Sequence, residues 1–265
     1  MAILQFGSSG PDVAKLQQLL TARGFPTGET NGTFGAGTDA AVRAYQRSEK
    51  LVADGQVGPV TMASLKGGPA PVRDDTALFT VDVVTKMFPQ TPRANVAANL
   101  PGVLTAMRNA GLGDRASILM ALATIRAETE SFQPVKEGLS RYNTSPGGRP
   151  YDLYDCRKDL GNRGAPDGSK FPGRGYVQLT GADNYKRIGA DIGVDIFSDP
   201  EKANDPVVAA KVLAQFIKGR EVPIKNALAE GDLARARRLV NGGSFGLDRF
   251  SDAFKRGQTA LGGVA

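Results

Sequence analysis

The chain has 265 residues, 41% of them hydrophobic and 23% charged, with a single cysteine and no histidine. That balance suits a folded globular chain of one small and one larger domain, and no run reaches the ~20 apolar residues of a membrane span. The missing histidine removes the usual base of serine and cysteine triads and the commonest ligand of catalytic zinc, so acid and base work falls to carboxylates, with Lys and Tyr as lesser candidates.

Cys156 excludes an internal disulfide and is expected to be a buried small hydrophobe. The opening MAILQFGSSG lacks the basic and long apolar regions of a secretory signal, so the chain is expected to be made in the cytoplasm. Net charge is +6; the first 66 residues hold +1, and the region after residue 78 holds +6. A basic body suits an anionic polymer or surface. The positive charges are scattered, aromatics make up 7%, and no signature of the common nucleic-acid-binding modules appears, so nucleic acid is not the expected partner.

Residues 1–66 read as a compact helical module. Ser9 or Asp12 can cap a first helix whose apolar Val13, Leu16, Leu19 and Leu20 fall at spacings of three and four, ending at Arg23-Gly24. A second helix over 38–48 puts Ala41, Val42 and Tyr45 on one face, and a third covers 60–65. Residues 67–77, GGPAPVRDDTA, read as a linker. Helical spacing resumes over 81–87, 93–110 and 114–128; in the last, Ile118, Leu122 and Ile125 define the buried stripe. Glu128 continues that stripe by three residues and so belongs on the inward edge of the helix end, where partial burial raises a carboxyl pKa, whereas Arg126 should face out. Glu130 and Glu137 follow nearby, with a proline before Glu137 that turns the chain.

Residues 138–175 lack periodicity and read as a substrate-lining loop in which Tyr151, Tyr154 and Phe171 could stack on sugar faces or fill small local cores. In FPGRGYVQLTGADNY, residues 171–185, no Walker lysine follows the glycines, so they allow close backbone approach instead, and Gln178, Thr180 and Asn184 offer hydrogen bonds suited to a polyol. An amphipathic helix is expected over 200–218 and a basic one over 232–240, where Arg235, Arg237 and Arg238 read as a solvated face running into Asn241-Gly242-Gly243.

These motifs carry two resemblances. GSSGPDVAKLQQLLTARGF, NGTFGAGTDAAVRAYQRSEKL and DGQVGPVTMASL resemble the peptidoglycan-binding domain type 1 over residues 5–66. AETESF from Ala127, KEGL from Lys136, GRGYVQLTGADNY and Val240-Asn241-Gly242-Gly243 resemble glycoside hydrolase family 19, chitinases and phage endolysins, over roughly residues 90–255. The nine-residue separation of Glu128 and Glu137 resembles the endolysin branch.

The implied fold is mainly α: a small three-helix wall-binding bundle linked to a two-lobed, lysozyme-like catalytic domain over 78–265. The implied activity is inverting hydrolysis of peptidoglycan glycan strands without a cofactor. Glu128 matches the general acid, Glu137 the general base, and Thr180 the hydroxyl that holds the attacking water. Gln178, Asn184 and Asn241 match sugar-contacting positions, and Tyr142 and Arg249 are further substrate-contacting candidates. Ala127 stands where the family usually has His, and Glu130 adds a carboxylate expected to raise a neighbouring acid's pKa by like-charge repulsion.

The resemblance further implies a monomer acting on bacterial peptidoglycan, held in the host cytoplasm until a separate holin-like pore releases it to the periplasm and wall, with outer-membrane contact through the basic helix. A chitinase of the same fold and a non-catalytic wall-binding or virion protein are the alternatives.

Overall fold

The structure, a computed structural model, describes residues 3–29, 31–67 and 74–262. Residues 68–73 of the expected linker lie outside the described residues. Among the described residues the chain is mainly α-helical, with α1 (Pro11–Ala22), α2 (Ala36–Ser48), α3 (Pro59–Leu65), α4 (Val81–Met87), α5 (Arg93–Asn109), α6 (Arg115–Glu128), α7 (Asp167–Lys170), α8 (Ala182–Ile192), α9 (Pro206–Lys218), α10 (Glu221–Ala229), α11 (Leu233–Asn241) and α12 (Leu247–Ala260). Two short strands, β1 (Val135–Lys136) and β2 (Arg174–Gly175), pair antiparallel. The chain divides into two compact units, one drawn from Met1–Arg73 and Val222–Ala236 and the other from Asp74–Glu221 and Arg237–Ala265.

In the first unit, α1, α2 and α3 close over a core that includes Val13, Leu16, Leu20, Phe34, Val42, Tyr45, Val57 and Leu65. Gly10, not Ser9 or Asp12, occupies the N-cap of α1, at φ 121°, and donates its N–H to Gly32 O at 2.8 Å. Two buried glutamines fasten the loops to the helices. Gln17 Nε2 donates to Thr33 O and Thr38 Oγ1 while its Oε1 accepts from Gly32 N; Gln46 Nε2 donates to Gln56 O and Asp54 Oδ1 while its Oε1 accepts from Gly55 N. Each amide thereby replaces hydrogen bonds that buried loop backbone would otherwise lack. From the second stretch of this unit, Asn226 Oδ1 accepts the N–H of Ala53 at 2.8 Å.

In the second unit α6 is the central rod: every residue from Ser117 to Ala127 is buried. Such enclosure overrides the one-sided stripe read from sequence and corrects the reading of Arg126, which is buried and donates to Met87 O at 2.8 Å and Asp252 Oδ2 at 2.6 Å. α12 lies close against α6, Gly257 leaving room for Leu119 and Met87. The expected single helix over 200–218 is two pieces. A short 3-10 turn, Pro200–Asn204, precedes Asp205, whose side chain accepts from Val207 N and Val208 N and starts α9 afresh with Pro206 in its first turn.

The irregular stretch after Glu137 is ordered by side-chain bonds. Asp155 Oδ1 accepts Gly168 N, and Asn162 links Tyr154 O to Ala182 N. Of the aromatic residues that could stack on sugars or fill local cores, Tyr151 and Phe171 take the second role, Phe171 packing against Tyr185 and Phe197, while Tyr154 is half-buried. Cys156 is exposed rather than buried: it lies between two 3-10 turns, Asp152–Tyr154 and Lys158–Leu160, none of whose residues is buried.

Candidate active site

Glu128 closes α6, and its side chain is 11% exposed. Burial pushes its carboxyl above the ordinary glutamate value, against the opposing pull first of Arg237 and then of Arg249. Like-charge repulsion from Glu130 is not the cause, which corrects the sequence expectation: Glu130 Oε2 is paired with Arg249 Nη1 at 3.3 Å. Arg237 is the residue that sequence reasoning missed. Its spacing among Arg235 and Arg238 predicts a solvated basic face, yet it is fully buried and donates from Nη2 to Glu128 Oε1 at 2.7 Å, while Arg235 and Arg238 remain exposed. The buried Ala236 and Val240 carried the signal, because positions 236, 237 and 240 share one edge of a helix.

The Asn241–Gly246 loop is built around the same arginine. Phe245 O accepts from Arg237 Nε at 3.1 Å, Arg237 Nη2 at 3.0 Å and Asn241 Nδ2 at 3.2 Å, and Asn241 Oδ1 accepts Gly243 N. Gly246, at φ 70°, presses on Ala127: a Cβ there would meet Ala127 O at 3.1 Å and its Cβ at 3.3 Å. The small Ala127 side chain therefore leaves this loop its seat beside the acid.

Glu137 follows β1 directly, and the hairpin partner supplies its support. Its backbone N donates to Gly173 O at 2.7 Å, and its Oε2 accepts Gly173 N at 2.9 Å. Oε1 accepts Asn143 Nδ2 at 2.8 Å and the Tyr154 hydroxyl at 2.9 Å, while Tyr151 donates to Glu137 O. The carboxylate is thus held by three donors, an arrangement that suits an anion. Asn143, fully buried, also donates to Gly138 O and accepts Ser140 N, so one amide fixes both ends of the turn after Glu137.

Gln178, at φ 51°, donates to Val135 O and Gly175 O across the hairpin, and its Oε1 and Glu137 Oε2 lie within 3.1 Å of one point beside Gly173. Thr180 donates to Gln178 O at 2.9 Å, and Asn184 Nδ2 donates to Thr180 O. Buried Arg174 anchors β2 through Glu201 at 2.5 Å and the Tyr185 hydroxyl at 3.0 Å. The hairpin thus gathers Glu137, Gln178 and Thr180, and the end of α6 gathers Glu128, Glu130, Asn241 and Arg249. Tyr142 is exposed after the Glu137 turn, its ring under the Arg141 guanidinium.

The family described as a peptidoglycan binding domain matches residues 9–65, and the family described as chitinase class I, glycoside hydrolase family 19, matches residues 152–226. The chain carries a peptidoglycan-binding domain and a glycoside hydrolase family 19 domain. A glycosyl hydrolase family 19 domain-containing protein of Haemophilus influenzae is 32% identical over 97 residues, 36% of this chain and 45% of that protein. The N-acetylmuramoyl-L-alanine amidase CwlM of Mycobacterium tuberculosis is 49% identical over 63 residues, 23% of this chain and 16% of that protein. The chain thus spans less than half the length of either curated relative. The solved structure of chitinase C from Streptomyces griseus superposes with a TM-score of 0.52 at 21% identity, covering 70% of this chain and 77% of that one, a likeness of fold. Gln178, Thr180 and Asn184 lie inside the matched span of the family 19 domain; Glu128, Glu137, Asn241 and Arg249 lie outside it.

Proposed function

We propose that the protein is a modular peptidoglycan hydrolase of the phage endolysin type, cleaving the wall glycan as a muramidase with inversion at the anomeric carbon. The observation that carries this reading is the contrast between two carboxyls: Glu128 is buried with its pKa raised, and Glu137 is held as an acceptor by three donors. Environments that separate two carboxyls in this way assign one as acid and one as base.

Glu128 gives its proton to the glycosidic oxygen as the bond to the anomeric carbon breaks. A water adds to that carbon from the opposite face and passes its proton to Glu137, whose Oε2 carries a single donor and so retains a lone pair. Thr180, whose own proton is committed to Gln178 O, accepts from that water and orients it. Asn241, Asn184, Gln178, Tyr142 and Arg249 contact the glycan. The peptidoglycan-binding domain keeps the second unit near its polymer, an effective-concentration gain rather than a new contact.

Acting on the wall, the enzyme would wait in the host cytoplasm for a separate pore. With Arg237 turned inward, Arg235 and Arg238 are what the basic helix keeps for an anionic membrane.

Mass spectrometry of digested peptidoglycan tests the reading. New reducing ends without new amino groups are expected; free amines, or lysis undiminished in Glu128→Gln, would overturn it. Because the fold is shared with a chitinase, turnover of chitin oligomers is measured beside peptidoglycan, and preference for chitin would move the substrate.

A further inference from the structure

We propose that Arg237 is a positioning residue that fixes which oxygen of Glu128 carries the catalytic proton and ties that oxygen's orientation to the Asn241–Gly246 loop. This rests on the reading of Glu128 as the general acid. A guanidinium has only N–H donors and stays protonated throughout the working range. Arg237 Nη2 donates to Glu128 Oε1 at 2.7 Å, so Oε1 is committed as an acceptor and the proton of the neutral acid belongs on Oε2. No side chain or backbone group among the described residues hydrogen-bonds to that second oxygen, which leaves it for the leaving group.

The same guanidinium donates twice to Phe245 O, the carbonyl that also accepts from Asn241. A planar fork can serve both partners at once; an ammonium, with no fixed plane, cannot reproduce the pair of angles. The placement has a cost that a solvated arginine would not bear: Arg237 is fully buried, and its Nη1 has no hydrogen-bond partner among the described residues. Arg249 has a different position, on Glu130. The charged groups around Glu128 are thus Arg237 from α11 and Arg249 from α12, with Glu130 of the following turn paired to Arg249; Arg126 of α6 itself is turned to Asp252.

The test uses the full chain with Arg237→Met, Arg237→Lys and Glu128→Gln, with kcat and KM on peptidoglycan measured from about pH 4 to 9 and folding checked by circular dichroism and melting. Arg237→Met is expected to lower kcat about 100-fold with KM within about twofold, since a misplaced acid costs chemistry rather than binding. Its alkaline limb should move to higher pH, because the carboxyl has lost its nearest cation. Arg237→Lys should keep the limb near its wild-type position and recover only part of kcat.

A folded Arg237→Met with wild-type kcat and wild-type alkaline limb would overturn the inference. Should the Met variant fail to fold, the Lys variant decides: kcat down about tenfold or more supports the inference, and wild-type kcat overturns it. Loss of activity in Glu128→Gln together with wild-type behaviour of the Arg237 variants would sink this inference alone, whereas an active Glu128→Gln would remove the underlying assignment of the acid.

Discussion

The Tyr154 hydroxyl donates to Glu137 Oε1 across 2.9 Å, from a 3-10 turn seventeen residues further along the chain. Burial and then Glu137 itself push the Tyr154 phenol far above its ordinary range, so it remains a donor at every working pH. Tyr154→Phe removes one of the carboxylate's three donors while keeping the ring. A bond to a charged group contributes about 1.5–3 kcal/mol, so kcat/KM should fall roughly tenfold or more, chiefly in kcat. Steady-state kinetics on peptidoglycan with a parallel thermal melt check this.

Gly173→Ala examines how closely the hairpin approaches the site. The backbone at Gly173 suits any residue, but an added Cβ would meet Gln178 Oε1 at 2.8 Å and Glu137 Oε2 at 3.1 Å. Both neighbours are ends of flexible side chains, so the fold should survive while the carboxylate is displaced. Activity is expected to drop about tenfold or more with a melting temperature close to wild type, because small displacements at a reacting group are costly. Unchanged activity would mean that the contact is not used.

Glu128 also sets a pH dependence of stability. Its folded-state pKa lies above the ordinary value of 4.5, so the folded chain holds this proton more tightly than the unfolded chain does. Between those two pKa values the folded state binds more protons, and stability falls as pH rises. Glu128→Gln has no such proton to lose. Urea unfolding over a pH series should therefore show the variant gaining on wild type from about pH 4.5 upward and levelling off once the wild-type acid has ionised.

Gly257→Ala tests the packing of α12 on α6. A Cβ there would collide with Leu119 Cδ2 and lie 3.0 Å from the Met87 thioether, in a core with no slack. Overpacking should cost about 1–3 kcal/mol in urea unfolding, and kcat measured well below the melting point should be unaffected.

Cys156 is exposed, so a thiol reagent should label the native chain at one equivalent without unfolding. Cys156→Ser should stay within about 0.5 kcal/mol of wild type, as substitutions outside a core do.

The helices that the sequence shows clearly are those whose apolar spacing is not disturbed by function. α4 runs Val81–Met87 as the spacing predicts, and α6 ends on Glu128, three residues beyond buried Ile125. α8, α10 and α12 have no clear signature in the sequence; α8 begins inside the GADNY motif, whose polar residues look like a binding loop rather than a first turn. The supports of Glu137 were hidden for another reason. Asn143, Tyr154 and Gly173 reach it across loop chain, and no local periodicity encodes a contact made by a turn closing on itself. Arg237 is hidden because three arginines in four positions look like a solvated face, and only burial of Ala236 and Val240 turns one of them inward.

The first compact unit is not contiguous in sequence: Val222–Ala236 belongs to it, and the chain resumes the second unit at Arg237. A fragment begun at residue 78 to isolate the hydrolase would therefore still contain Asn226 but not the Ala53 amide that it accepts from. Engineers exchanging the N-terminal module for another should graft Val222–Ala236 with it, since a single cut at residues 67–77 does not separate the two compact units.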